Sequence, residues 1–121
     1  MKQVNTCECK IYCGLKEGYD GEIHDIEEVY DLLQEYCDKE GFAVTVTPTR
    51  FIYTKGNEPG VIVGLIIYPR FPKSIHKLAQ HAITIGNMML HELKQERLSI
   101  VGTDYTTMLE KDDYPVNGAI K

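Results

Sequence analysis

The sequence predicts one α+β domain whose elements run strand, helix, strand, strand, helix, strand. Three observations predict it. Residues 7–13 alternate apolar and polar with a period of two, residues 61–68 (VIVGLIIY) are almost uninterruptedly apolar, and two longer segments repeat their apolar residues every three or four positions.

Cys7, Cys9, Ile11 and Cys13 alternate with Glu8, Lys10 and Tyr12, which predicts a first strand with one buried face. After a glycine-bearing loop at 14–22, Ile26, Val29, Tyr30, Leu33, Tyr36 and Cys37 form one stripe of a helix from about Asp25 to Lys39. Acids crowd its first turn, where they suit the positive end of the helix dipole, and Gly41 is placed to end it in a left-handed conformation. Phe42, Val44 and Val46 then alternate with Ala43, Thr45 and Thr47, and a second β-rich run, 51–54, follows Pro48. A proline cannot donate to a central ladder, so this strand is expected at an edge, broken or bulged. Lys55 to Gly60 (KGNEPG) reads as a turn, and Val61 to Tyr68 as an interior strand. Pro69 and Pro72 bracket a short link, and Ser74 caps a helix with the stripe Ile75, Leu78, Ala79, Ala82, Ile85, Met89 and Leu93, expected to end near Arg97. Residues 98–109 alternate once more, with Val101, Thr103, Tyr105 and Leu109 on one face of a last strand. Residues 111–121 carry no period and read as a loose tail after a domain of residues 1–110.

Two strand-helix-strand units with right-handed crossovers fit together most economically as a ferredoxin-like βαββαβ plait: a four-stranded antiparallel sheet with two helices on one face. The third strand is apolar on both sides, so the helix-free face is expected to be covered, by the C-terminal tail or, the favoured reading, by a homodimer.

The 121 residues, 43% hydrophobic and 26% charged, suit a single core. The polar start Met1 to Val4 lacks the apolar core of a signal peptide, and no apolar stretch approaches the roughly 20 residues that span a bilayer. A cytoplasmic protein is expected, with no membrane contact. Cys7, Cys9 and Cys13 share one strand face with neighbours about 6.6 Å apart along it, and no paired CxxC accompanies them. These cysteines and Cys37 are expected to be reduced core thiols, with no metal.

Charge is unevenly spread over the net of −5. From Gly14 to Glu40 ten acids face two bases, a net of −8, whereas Tyr68 to His91 holds Arg70, Lys73, Lys77, three histidines and no acid. Arg70, Lys73, Ser74 and His76, at or just before a helix N-terminus, have the composition of an anion or phosphate site. Tyr19, Asp20, Glu27, Glu28 and Asp31 present an acidic surface suited to a basic protein partner. His76 and His81 lie about 140° apart around a helix and cannot share an ion, and His91 lies about three turns further on. All three are expected at the surface or its boundary, with His24 at the start of the first helix. There is no GxSxG, Walker loop, Rossmann fingerprint or HExxH, so no catalytic residue and no cofactor is assigned. An acidic chain without an aromatic RNA-binding signature speaks against a nucleic-acid partner.

The stretch Val44 to Pro72, VTVTPTRFIYTKGNEPGVIVGLIIYPRFP, together with KIYCGL at Lys10 to Leu15, resembles small uncharacterised accessory proteins of tailed bacteriophages. The resemblance implies a phage-encoded protein acting in a bacterial cytoplasm. It favours a non-enzymatic accessory protein that binds a host defence or regulatory component. The alternative reading is a binder of, or enzyme on, a small phosphorylated or nucleotide-like ligand at the start of the second helix.

Overall fold

The computed structural model describes residues 1–70 and 72–114. Its elements are β1 (Glu8–Gly14), α1 (Ile26–Glu40), β2 (Thr45–Tyr53), β3 (Gly56–Ile66), α2 (Ile75–Glu92), β4 (Arg97–Val101) and β5 (Thr106–Glu110). The sheet has five strands in the order β2-β3-β1-β4-β5, every neighbouring pair antiparallel. This corrects the expected four-stranded plait. Residues 98–109 form a hairpin, because Gly102 to Tyr105 turn the chain, closed by the Gly102 N–H donating to the Tyr105 carbonyl, and β5 folds back on β4. Val101 consequently faces away from Leu109: Leu98, Ile100 and Leu109 are buried and Val101 is exposed.

β2 is an edge strand, as its proline requires, but it runs unbroken through Pro48, which pairs with Val61. The expected turn at Lys55 to Gly60 is shorter than its composition suggests. β3 already begins at Gly56, so Asn57, Glu58 and Pro59 are ladder residues facing β2. β3 lies between β2 and β1, the interior place expected for its apolar run.

Both helices start on sequence-encoded caps. Asp25 accepts from the Glu27 N–H while Glu28 accepts from the Asp25 N–H, and Ser74 Oγ accepts from the Lys77 N–H. Gly41, at φ 64°, closes α1 in the left-handed conformation. α2 stops at Glu92 rather than near Arg97, because Lys94 takes a left-handed backbone (φ 53°) and the Gln95 N–H folds back onto the Leu90 carbonyl.

Ile11 stands opposite Val63 on one side and Ile100 on the other, which puts Cys9, Cys13, Val61, Leu65 and Leu98 on the same face. These join Val29, Leu33 and Tyr36 of α1 and Leu78, Ala82, Ile85 and Met89 of α2 in one core. Each large side chain fully buried there contributes about 1.5–3 kcal/mol. The cysteines are free; Cys7, Cys9 and Cys13 are buried, and burial pushes the Cys13 thiol up to about 12. Ile75 and Tyr30, placed on the helix stripes by periodicity, are exposed, whereas His81 is buried. The opposite face carries no helix among the described residues. Its residues include Tyr12, Phe51, Ile62, Ile66, Val101 and Met108, of which Ile66, Val101 and Met108 are exposed. No helix of the described residues is long and apolar enough to cross a membrane.

Candidate functional site

The antiparallel register sets Gly14, the last residue of β1, against Gly60 of β3 on the helix-free face. Two facing glycines leave a floor without side chains, and neighbouring groups lie down on it. A Cβ built on Gly14 would stand 2.8 Å from Glu58 Oε1 and 3.0 Å from Gln95 Oε1; one built on Gly60 would collide with the Phe51 ring. The Glu58 carboxylate and the Gln95 carbonyl oxygen therefore converge on the same point of backbone. The Gln95 amide is fixed in that sense because its Nε2 donates to the Lys16 carbonyl at 3.0 Å and to the Leu93 carbonyl at 2.9 Å. Tyr53 donates to Glu58 Oε2 at 3.4 Å. Burial, then the Glu58 charge and this hydrogen bond, hold the Tyr53 phenol above its ordinary value. Two acceptors and two aromatic rings gathered over the glycine pair offer hydrogen-bond acceptance and π faces to a donor that carries positive charge.

The neighbouring loop is built into the fold. Residues 14–24 close on themselves through Glu17 N–H to Glu22 carbonyl (2.9 Å), His24 N–H to Leu15 carbonyl (2.8 Å) and a bridge between Lys16 and Ile23. His24 joins loop to helix, its Nε2 2.6 Å from Glu17 and its Nδ1 3.0 Å from Glu28. Burial works against the imidazolium, but the hydrogen bonds and charges of Glu28 and Glu17 outweigh it and raise the His24 pKa.

The expected anion site lies at the other end of the molecule and is only partly assembled. Lys73 lines a cavity of about 320 Å³ with Cys37, Gly41, Phe42, Ala43, Ile66 and Tyr68. Ser74 Oγ is engaged as the cap of α2. His76 is exposed and contacts Gln80, and Arg70 is exposed on the link before the helix. Beneath the cavity wall, His81 stacks on Phe42 (centroids 4.1 Å apart, planes at 15°) and its Nδ1 meets the Tyr36 hydroxyl. Burial, then Lys73 and Lys77, lower the His81 pKa, and its Nε2 has no hydrogen-bond partner among the described residues.

Of the expected partner surface, Tyr19, Asp20, Glu27 and Asp31 are exposed, while Glu28 is committed to the α1 cap and to His24. Among the described residues no three His, Cys, Asp or Glu side chains are grouped to hold a metal. Periodicity could not find Glu58 and Gln95: one sits in a segment with turn composition and reaches Gly14 through the β1–β3 register, the other lies beyond a helix and is tied there by its bond to the Lys16 carbonyl.

No family model matches the chain, and no curated protein does. Among solved structures it is similar to a phage SAM lyase in complex with S-methyl-5'-thioadenosine, at 17% identity and a TM-score of 0.76, over 95% of this chain and 98% of that one. It is also similar to a phage SAM lyase in the apo state, at 18% identity and a TM-score of 0.68, over the same shares. At these identities the likeness establishes a common fold over almost the whole chain. The proteins it matches are phage proteins, and the match corrects the expectation of a non-enzymatic protein that engages a host component: this fold is shared with a phage SAM lyase that holds S-methyl-5'-thioadenosine. The nucleotide-like-ligand reading is the one it supports.

Proposed function

We propose that this chain is a lyase acting on S-adenosylmethionine in the bacterial cytoplasm, with its ligand held over the Gly14–Gly60 floor beside Glu58, Gln95, Phe51 and Tyr53. The observation that carries this reading is the end-to-end match to a phage SAM lyase with thioadenosine bound. Electrostatics chooses between the two ends of the molecule. S-Adenosylmethionine carries a sulfonium and an ammonium, which the Lys73 end repels and the acidic Glu58 end attracts. The first loop and first turn of α1 hold Glu17, Asp20, Glu22, Asp25, Glu27 and Glu28 against Lys16, a local excess of acid that draws a cationic substrate to that end.

In the proposed reaction the bond between the sulfonium sulfur and the γ carbon of the amino-acid chain breaks, and sulfur keeps the electron pair as neutral S-methyl-5'-thioadenosine. The four-carbon fragment completes its γ carbon from within, by closing its own carboxylate onto it or by forming an alkene as a β proton leaves. No water is consumed. The sulfonium charge disappears in this step, so a carboxylate pressed against sulfur would stabilise the ground state over the transition state. Glu58 and Gln95 are better suited to donors that persist through the step, the ammonium and the ribose hydroxyls. The rings of Phe51 and Tyr53 offer the sulfonium a weaker cation–π contact.

Incubating the purified protein with S-adenosylmethionine and separating the products by chromatography tests the reading. Thioadenosine should accumulate, and Glu58→Gln should lower kcat/KM by about 10- to 100-fold, the worth of one charge-assisted hydrogen bond of about 1.5–3 kcal/mol. Intact substrate after incubation with folded wild-type protein would refute it.

A further inference from the structure

We infer that the cavity at the start of α2 is a second small-molecule site, separate from the proposed reaction centre, and that it takes a planar aromatic ligand bearing an anionic group. Its volume of about 320 Å³ lies at the lower end of the range of about 300–1,000 Å³ typical of small-molecule pockets. Apart from Lys73 it is lined by Cys37, Gly41, Phe42, Ala43, Ile66 and Tyr68, a largely apolar and partly aromatic set suited to a flat apolar body. Among the described lining residues the formal charge is the Lys73 ammonium, 5.6 Å from the Phe42 centroid, so an anionic substituent completes the pair.

The wall is held in place before any ligand arrives. His81 stacks against Phe42 and Tyr36 meets that ring edge-on at 6.5 Å, while the Tyr36 hydroxyl and His81 Nδ1 share a hydrogen bond. Three rings from α1, the α1–β2 link and α2 thus lock one another, and a preorganised ring saves a ligand the cost of ordering it. Lys77 on the same helix adds positive potential, and Glu40 at the end of α1 is the acid that faces His81 against it. S-Adenosylmethionine, with a net positive charge, is the wrong ligand for this cavity.

Isothermal titration of the full chain carrying Glu58→Gln, which empties the proposed reaction centre of nucleosides, with adenosine 5'-monophosphate, adenosine, benzoate and inorganic phosphate tests the inference. Adenosine monophosphate or benzoate should bind at least tenfold more tightly than adenosine or phosphate alone, because the cavity needs both the flat body and the charge. Lys73→Ala, at a half-buried rim position, should weaken that binding at least tenfold, and Phe42→Leu should weaken it while keeping the cavity apolar. Turnover of S-adenosylmethionine should be unchanged in Lys73→Ala, so the two sites fail independently. Binding indifferent to Lys73→Ala, equal affinity for adenosine and its monophosphate, or no heat with either aromatic anion up to millimolar concentration would overturn it.

Discussion

Two histidines of this chain respond to pH in opposite senses, and each sign follows from its surroundings. His24 lies between Glu17 and Glu28, so its pKa in the folded state is raised above the ordinary 6.5. Its contribution to stability is fully present below pH 6.5 and is lost as pH rises through the raised folded value. His81 is buried against Phe42 near Lys73 and Lys77, so its folded pKa is lowered, and the unfolded chain binds the extra proton. Its contribution is present above pH 6.5 and is lost as pH falls through the lowered folded value. Chemical denaturation across pH 5 to 8 should therefore show that His24→Gln removes a component that falls as pH rises, while His81→Phe removes one that falls as pH drops. Parallel pH profiles for the two variants would contradict these assignments. Sequence spacing placed His24 correctly at the start of α1 but put His81 at the surface or its boundary, where the structure buries it. Angular position describes a helix alone, and His81 is buried by a residue 45 positions away, Tyr36, which packing brings to its ring.

At the scale of elements, the boundaries legible in the sequence are those written in local chemistry. Gly41 and Ser74 cap their helices where the sequence places them, and Asp25, expected as the first residue of α1, is its N-cap with Glu28 completing the capping box, all of it fixed within a few residues. Asp25→Ala should cost about 1 kcal/mol through loss of the α1 cap. Gly41→Ala should cost about 1–2 kcal/mol, because alanine pays for the left-handed backbone that glycine adopts freely. Both losses should appear as lower denaturation midpoints with an unchanged slope; a change in slope would instead mean that the folded or unfolded state had altered its compactness. What the sequence did not disclose depends on partners far along the chain. Pro48 stays in the ladder because β2 is an edge strand, and residues 56–60 are strand despite their turn composition because β2 continues beside them to Tyr53. The period-two pattern of residues 98–109 ran on across the turn at 102–105, concealing a hairpin whose second strand widens the sheet. The candidate reaction centre suffers most from this. Gly14, Glu58 and Gln95 belong to three segments, and no spacing rule joins them before the register is known.

At the scale of the whole molecule, the sheet divides two tasks between its faces. One face carries both helices and holds the core; the other carries the proposed reaction centre at its Gly14 end and exposed apolar side chains elsewhere. We propose that the homodimer expected from the sequence forms on that second face, where Ile66, Val101 and Met108 are exposed. Replacing Ile66 and Met108 together by glutamate should convert a dimer to a monomer in sedimentation equilibrium, and an unchanged mass would remove the dimer from that face. The proposed reaction centre stands or falls on where a thioadenosine sits. Amide shift mapping on isotope-labelled protein titrated with S-methyl-5'-thioadenosine examines this most directly. The largest shifts should fall at Gly14, Tyr53, Glu58, Gly60 and Gln95 and should be lost in Glu58→Gln. Shifts gathered instead around Phe42, Tyr68 and Lys73, with the Gly14 end silent, would contradict it.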